Sequence, residues 1–199
     1  RLRRKTPLGN GFTKYEWYVS SPINNYDVTL NIAKYKHFVD FYLNKETMDT
    51  LTLDYYVLPE NFELANKHFN QVKSMMDAYY HYFGEYPFVK DGYKLVEAPY
   101  LGMEHQSCIA YGNKFKYGYL GHSLGSSLAM EFDYIIIHES AHEWWGNNVT
   151  TNDIADMWIH EGFCTYTESI YVEYMFGHDT AIKYINAHKA HVGNKKPIV

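Results

Sequence analysis

Residues 138–142 read His-Glu-Ser-Ala-His, an H-E-x-x-H pattern, and that pattern has a use only on a helix. Positions i and i+4 of a helix lie one turn apart on the same face. Two imidazoles placed this way, His138 and His142, reach one metal ion, and zinc is the ion the pattern suits. Glu139 between them is aimed at the same cleft and can act as a base toward water. The spacing predicts a helix over 128–145, with Leu128, Phe132, Ile135 and Ile136 turned to a core.

H-E-x-x-H also arises by chance, so the rest of the chain has to supply a third ligand. After His142, eighteen residues intervene before Glu161, in His160-Glu-Gly-Phe163. It falls on a second helix, expected over 155–176 and stopped by Gly177. A His-His-Glu set leaves the fourth zinc position open, which distinguishes a catalytic zinc from a structural one. Glu168 lies two turns further along the same helix face. It either orients a histidine ligand from behind or faces solvent.

The remaining elements follow from periodicity and punctuation. Residues 1–36 read as strands and turns, among them 15–19 and a period-two stretch, 26–32, expected as a half-buried strand. Residues 36–43 and 51–58 are strand-like, and Pro59 stops the second. Phe62, Ala65, Phe69, Val72, Met76, Tyr79 and Phe83 then recur at gaps of three and four. That is one apolar stripe on one helix, ended by Gly84. Residues 93–113 return to extended chain with a kink at Pro99. The glycine-dotted stretch 112–127 lacks a G-K-[ST] and reads as a loop beside a cleft, not a phosphate site. A third, polar helix is expected over 180–191.

Here the chain resembles a known family. H-E-x-x-H, eighteen residues, then Glu within x-E-G-F is similar to the gluzincin metallopeptidases, and closest to the aminopeptidase N family, which also contains leukotriene hydrolase. Trp144-Trp-Gly-Asn147 and Val149-Thr150 match that family's sequence after the motif. Upstream, the family's G-A-M-E-N strand corresponds to Leu101-Gly-Met-Glu-His105, with Leu101 and His105 as departures. The resemblance extends from about residue 10 to the end.

The resemblance implies an α+β fold: a thermolysin-like (gluzincin) catalytic domain with a mixed β-sheet and a zinc-bearing helix pair, preceded by the tail of a β-domain. Residues 1–36 are then the end of a β-saddle, and 37–199 much of the catalytic domain. A large helical domain and a transition-state tyrosine are expected beyond residue 199. The implied activity is a zinc-dependent aminopeptidase carrying one Zn2+ per chain. His138, His142 and Glu161 are its ligands and Glu139 its base. Glu104 binds the substrate's free ammonium, and Gly102 and Met103 pair with the substrate backbone. The implied partners are peptides with a free N-terminus and the missing domains of the same polypeptide.

Composition narrows the alternatives. A formal net charge of −5, with 21% charged residues and no long run of one sign, argues against a nucleic-acid partner. No stretch has the roughly 18 apolar residues of a membrane span, and no signal peptide is recognisable, so the compartment stays open. The chain starts at Arg1 without Met, as a mature product or an excised piece would. Two cysteines, Cys108 and Cys164, are too few for a disulfide framework. A thermolysin-type endopeptidase would share the zinc chemistry but not need Glu104. A non-catalytic scaffold of the same fold would be expected to have lost a ligand or the base.

Overall fold

The computed structural model describes residues 1–189, 192, 193 and 195. Two sheets and five helices form a mixed α+β architecture. The first sheet is a hairpin, β1 (Leu2–Gly9) paired antiparallel with β2 (Phe12–Trp17). The second has five strands: β3 (Lys36–Leu43), β4 (Thr50–Val57), β5 (Tyr93–Glu97), β6 (Gly102–Met103) and β7 (Ile109–Tyr111). Its order is β3-β4-β5-β7-β6. Strands β4, β5 and β7 run parallel, and β3 and β6 are antiparallel to their neighbours. The short β6 is therefore an edge strand among the described residues.

Period-two patterning made β4 what it is. Leu51, Leu53, Tyr55 and Val57 point into the core while the residues between them face outward. Against this face pack α1 (Phe62–His68), α2 (Gln71–Phe83) and α3 (Tyr134–Ala141); α4 (Trp158–Phe176) packs on α3 and α2, and α5 (His178–His188) lies on α4. The stripe Ala65, Phe69, Val72, Met76 and Tyr79 is fully buried. Gly84 leaves α2 at φ 84 and its N–H closes on Tyr80 O, the left-handed exit that favours glycine.

Several expectations need correction. The stripe over 62–83 is carried by two helices, because the chain tightens at Phe69-Asn70, where Val72 N and Lys73 N bond to residues three earlier. The metal-motif helix does not start at 128. Ser127–Glu131 is a 3-10 turn, Phe132 is extended, and Asp133 caps α3 by accepting from Ile135 N at 2.9 Å and Ile136 N at 3.2 Å. The 26–32 stretch is not a strand. It opens with a 3-10 turn, Asn25–Asp27, and continues unpaired with Val28, Leu30 and Ile32 exposed. The third helix begins at His178 and ends at His188, and residues 190 and 191 lie outside the described residues. Both cysteines are free, with Cys164 buried.

Candidate metal centre

Helix α3 carries the site because its whole inner length is buried. Ile135, Ile136 and Ile137 are at most 1% exposed and anchor the helix on the sheet, so its next turn presents His138 and Glu139 at the mouth of the core. His142 sits at the C-terminal cap, still helical at φ −61 and ψ −22, so the one-turn stacking survives. The two imidazole centroids are 5.2 Å apart.

Helix α4 brings Glu161 to both histidines. Glu161 Oε2 is 3.1 Å from His138 Nε2, and Oε1 is 3.8 Å from His142 Nε2. One ligand atom from each residue lies within 4.8 Å of the other two. The far sides of both rings are engaged. His138 Nδ1 is 2.8 Å from Glu168 Oε1, and His142 Nδ1 is 3.2 Å from Trp145 O. With a metal bound, the acceptors at Nδ1 would keep the proton there and leave each Nε2 lone pair to the ion. His142 Nε2 is buried with no hydrogen-bond partner. An orphaned buried acceptor beside a second imidazole and a carboxylate is the donor set a zinc ion fits.

Charge is concentrated here. Burial pulls the His138 imidazolium down, but the hydrogen-bonded carboxylates of Glu161 and Glu168 outweigh it and lift the ring to about 10. His142, buried beside that positive ring, is pushed down to about 4. Glu161 is held below the ordinary carboxylate range by its contact with His138. Burial raises Glu139 to about 7 against the pull of His138, with Glu104 and Glu161 adding to the rise.

The 101–105 stretch crosses the same cleft. A Cβ added to Gly102 would lie 2.7 Å from Glu139 Oε1 and 2.9 Å from Ile135 Cγ2, so only glycine lets β6 approach α3 this closely. Met103 follows on the same edge strand. Glu104 is 7% exposed, and its carboxylate forms a second compact group with Glu139 and His142, again within 4.8 Å. Burial raises its carboxyl above the ordinary range. Asn147 Nδ2 donates to Glu104 O at 2.7 Å.

Several supporting residues carried no clear sequence signal. Tyr134 stacks on His138 at 5.4 Å and 13°. Tyr184, on the helix read as polar, donates to Glu168 Oε2 at 3.1 Å. Glu143, next to His142, is fully buried and accepts from Ser107 N and Tyr86 OH. Asp133 was findable: an aspartate directly before an apolar run is a helix-start signal, hidden here because the apolar pattern extends upstream.

Residues 66–196 match the Peptidase family M1 domain. Glutamyl aminopeptidase of Bos taurus is 32% identical over 126 residues, 62% of this chain and 13% of that protein. Endoplasmic reticulum aminopeptidase 1 of Mus musculus is 26% identical over 174 residues, 86% of this chain and 18% of that protein. The chain thus spans less than a fifth of either relative. A mutant M1 zinc metallopeptidase from Deinococcus radiodurans, bound to a Tyr-Ser-Ala substrate, superposes with a TM-score of 0.73 at 19% identity, over all of this chain and 42% of that one. Legionella pneumophila aminopeptidase A, in complex with aspartic acid, gives 0.74 at 20% identity, over 88% of this chain and 21% of that one. The similarity in fold matches the similarity in sequence, and a domain match spanning most of the chain decides the family: the chain belongs to peptidase family M1.

Proposed function

We propose that this chain is the zinc-binding core of an aminopeptidase that removes N-terminal residues from peptides. One observation carries the reading: two buried imidazole Nε2 atoms and the Glu161 carboxylate converge beside two further buried carboxylates, Glu139 and Glu104. His138, His142 and Glu161 would hold one Zn2+. Zinc, when bound, acidifies a water and polarises the scissile carbonyl.

The chain's own residues do the rest. Glu139 takes the proton from the attacking water and delivers it to the leaving nitrogen. Burial raises its carboxyl and so favours the protonated form it takes between the two halves. Glu104 binds the α-ammonium of the substrate in a charge-assisted contact and thereby restricts cleavage to chain ends. Gly102 and Met103, on the edge strand β6, offer backbone groups to an extended peptide. Glu168 holds His138 in its working tautomer.

A thermolysin-like catalytic domain over 37–199, following the end of a β-saddle over 1–36, accommodates these roles. The missing domains of the same polypeptide would cover Val28, Leu30 and Ile32 and the exposed α4 face of Trp158, Phe163 and Tyr166. Partners are then peptides with a free N-terminus. Among the described residues no helix is long and apolar enough to cross a membrane. A thermolysin-type endopeptidase is disfavoured by the acidic Glu104, and a non-catalytic scaffold by the complete set of ligands and base.

The test is a panel of free and N-acetylated aminoacyl anilides offered to the zinc-loaded full-length protein. Cleavage of the free forms, abolished by acetylation and by Glu139→Gln, is expected. Equal cleavage of blocked and free substrates would make it an endopeptidase, and no cleavage with zinc bound would favour the scaffold.

A further inference from the structure

The segment that carries Glu104 ends in a strained turn. Cys108 N bonds back to His105 O at 2.9 Å, so Gln106 and Ser107 are the central residues. Ser107 sits at φ 55, in the left-handed region where the third position of such a turn calls for glycine or asparagine. An L side chain occupies that region only at a cost, which contacts that hold it there must offset.

Two buried side chains, Glu143 and Lys94, hold it. The Ser107 N–H donates to Glu143 Oε1 at 2.7 Å, and the Ser107 carbonyl accepts from Lys94 Nζ at 3.2 Å. Glu143 is completely buried and Lys94 is 4% exposed. Each is fixed in turn. Glu143 Oε2 accepts from Tyr86 OH at 3.1 Å, and Lys94 also donates to the carbonyls of Asp91 and Gly92. Burying a carboxyl group and an ammonium is costly, and burial raises the Glu143 carboxyl above the ordinary range. Neither belongs to the metal-ligand group, and both end on one residue's backbone. Glu143 follows the ligand His142 directly, so its grip ties the turn to the ligand-bearing end of α3. Asn147 Nδ2, bonded to Glu104 O, is a second tie from the same end.

We propose that Glu143 and Lys94 are positioning residues that clamp the Ser107 backbone, and through it set Glu104 at a fixed distance from the zinc ligands. The inference rests on reading Glu104 as the ammonium site. An ammonium must be caught at a defined distance from the scissile carbonyl, and an ångström of drift in such an anchor costs rate and binding out of proportion to its size. When the clamp is released, Ser107 relaxes to negative φ and carries Glu104 with it.

The experiment uses the full-length zinc-loaded protein and the anilide it cleaves best. Variants are Glu143→Ala, Glu143→Gln and each of these with Ser107→Gly. Glu143→Ala should raise KM about tenfold with a smaller change in kcat, keep its zinc, and lose preference for free over N-acetylated amino-acid amides as inhibitors. Ser107→Gly in that background should recover part of the KM, because glycine adopts φ 55 without a clamp. Glu143→Gln, which keeps an acceptor, should fall between, and it carries the same comparison should the alanine variant not fold. Zinc loss in step with activity, a kcat defect at unchanged KM, or no recovery with glycine in either background would overturn the clamp. If the wild type cleaves no free-amine substrate, the aminopeptidase reading fails instead.

Discussion

Glu168 Oε1 lies 2.8 Å from His138 Nδ1, reaching it from a position two turns beyond Glu161 on the same helix. One helix therefore contacts both sides of one imidazole, with Glu161 at Nε2 and Glu168 at Nδ1. Glu168 is 1% exposed, and its second oxygen accepts from Tyr184 OH.

A buried carboxylate so placed should fix the His138 ring and raise its basicity toward a metal. We predict that Glu168→Ala weakens zinc binding about 10- to 100-fold, read by chelator competition, while Glu161→Ala weakens it more. An unchanged zinc affinity in Glu168→Ala would reduce this residue to a core partner of Tyr184.

Gly102 tests the closeness of strand and base. Its added Cβ would press on the Glu139 carboxylate and on Ile135. The carboxylate is the softer neighbour, so it is the one that moves. Gly102→Ala should lower kcat about 10- to 100-fold, since misplacing a reacting group by an ångström costs that much, with zinc content retained. A variant of wild-type kcat would show that Glu139 does not need its present position.

Asp27 gives a pH signature. It is 3% exposed, both carboxylate oxygens lack partners, and burial first, then the Glu104 charge, raises it to about 7. In the unfolded chain it titrates near the ordinary value of about 4. Below that pH both states hold the proton, and between about 4 and 7 only the folded state does. Its contribution to stability is therefore lost as pH rises through this window. Asp27→Asn keeps the shape without the titration. Thermal melts should show the variant more stable than wild type at pH 8 and the difference gone at pH 4. A gap of the same size at both values would assign the effect to something other than ionisation.

How much of this was legible differs from element to element. The stripe through Ala65, Phe69, Val72, Met76 and Tyr79 identified a buried helical face, because apolar spacing is a local property. The break at Phe69-Asn70 was not legible, since the stripe keeps its phase across it. In the 26–32 stretch the alternation was real, but a strand needs a partner ladder, and none is present among the described residues. For the candidate site, the residues of the motifs could be read, and the geometry adds that Glu104, His138, Glu139 and His142 are buried while Glu161 stays exposed.

By itself the sequence determined the helical spacing of His138 and His142, the carboxylate of Glu161 beyond an eighteen-residue gap, and the likeness to a family in which those residues work together. These are relations along one chain direction, written by helix geometry. Only the tertiary structure decided that Glu168 reaches His138, that Gly102 lies against Glu139, and that Glu143 and Lys94 meet at Ser107. Those contacts join residues that no periodicity connects. They exist because the sheet and α4 close on α3, where burial makes an unpaired polar atom costly, although His142 Nε2 is left without a partner.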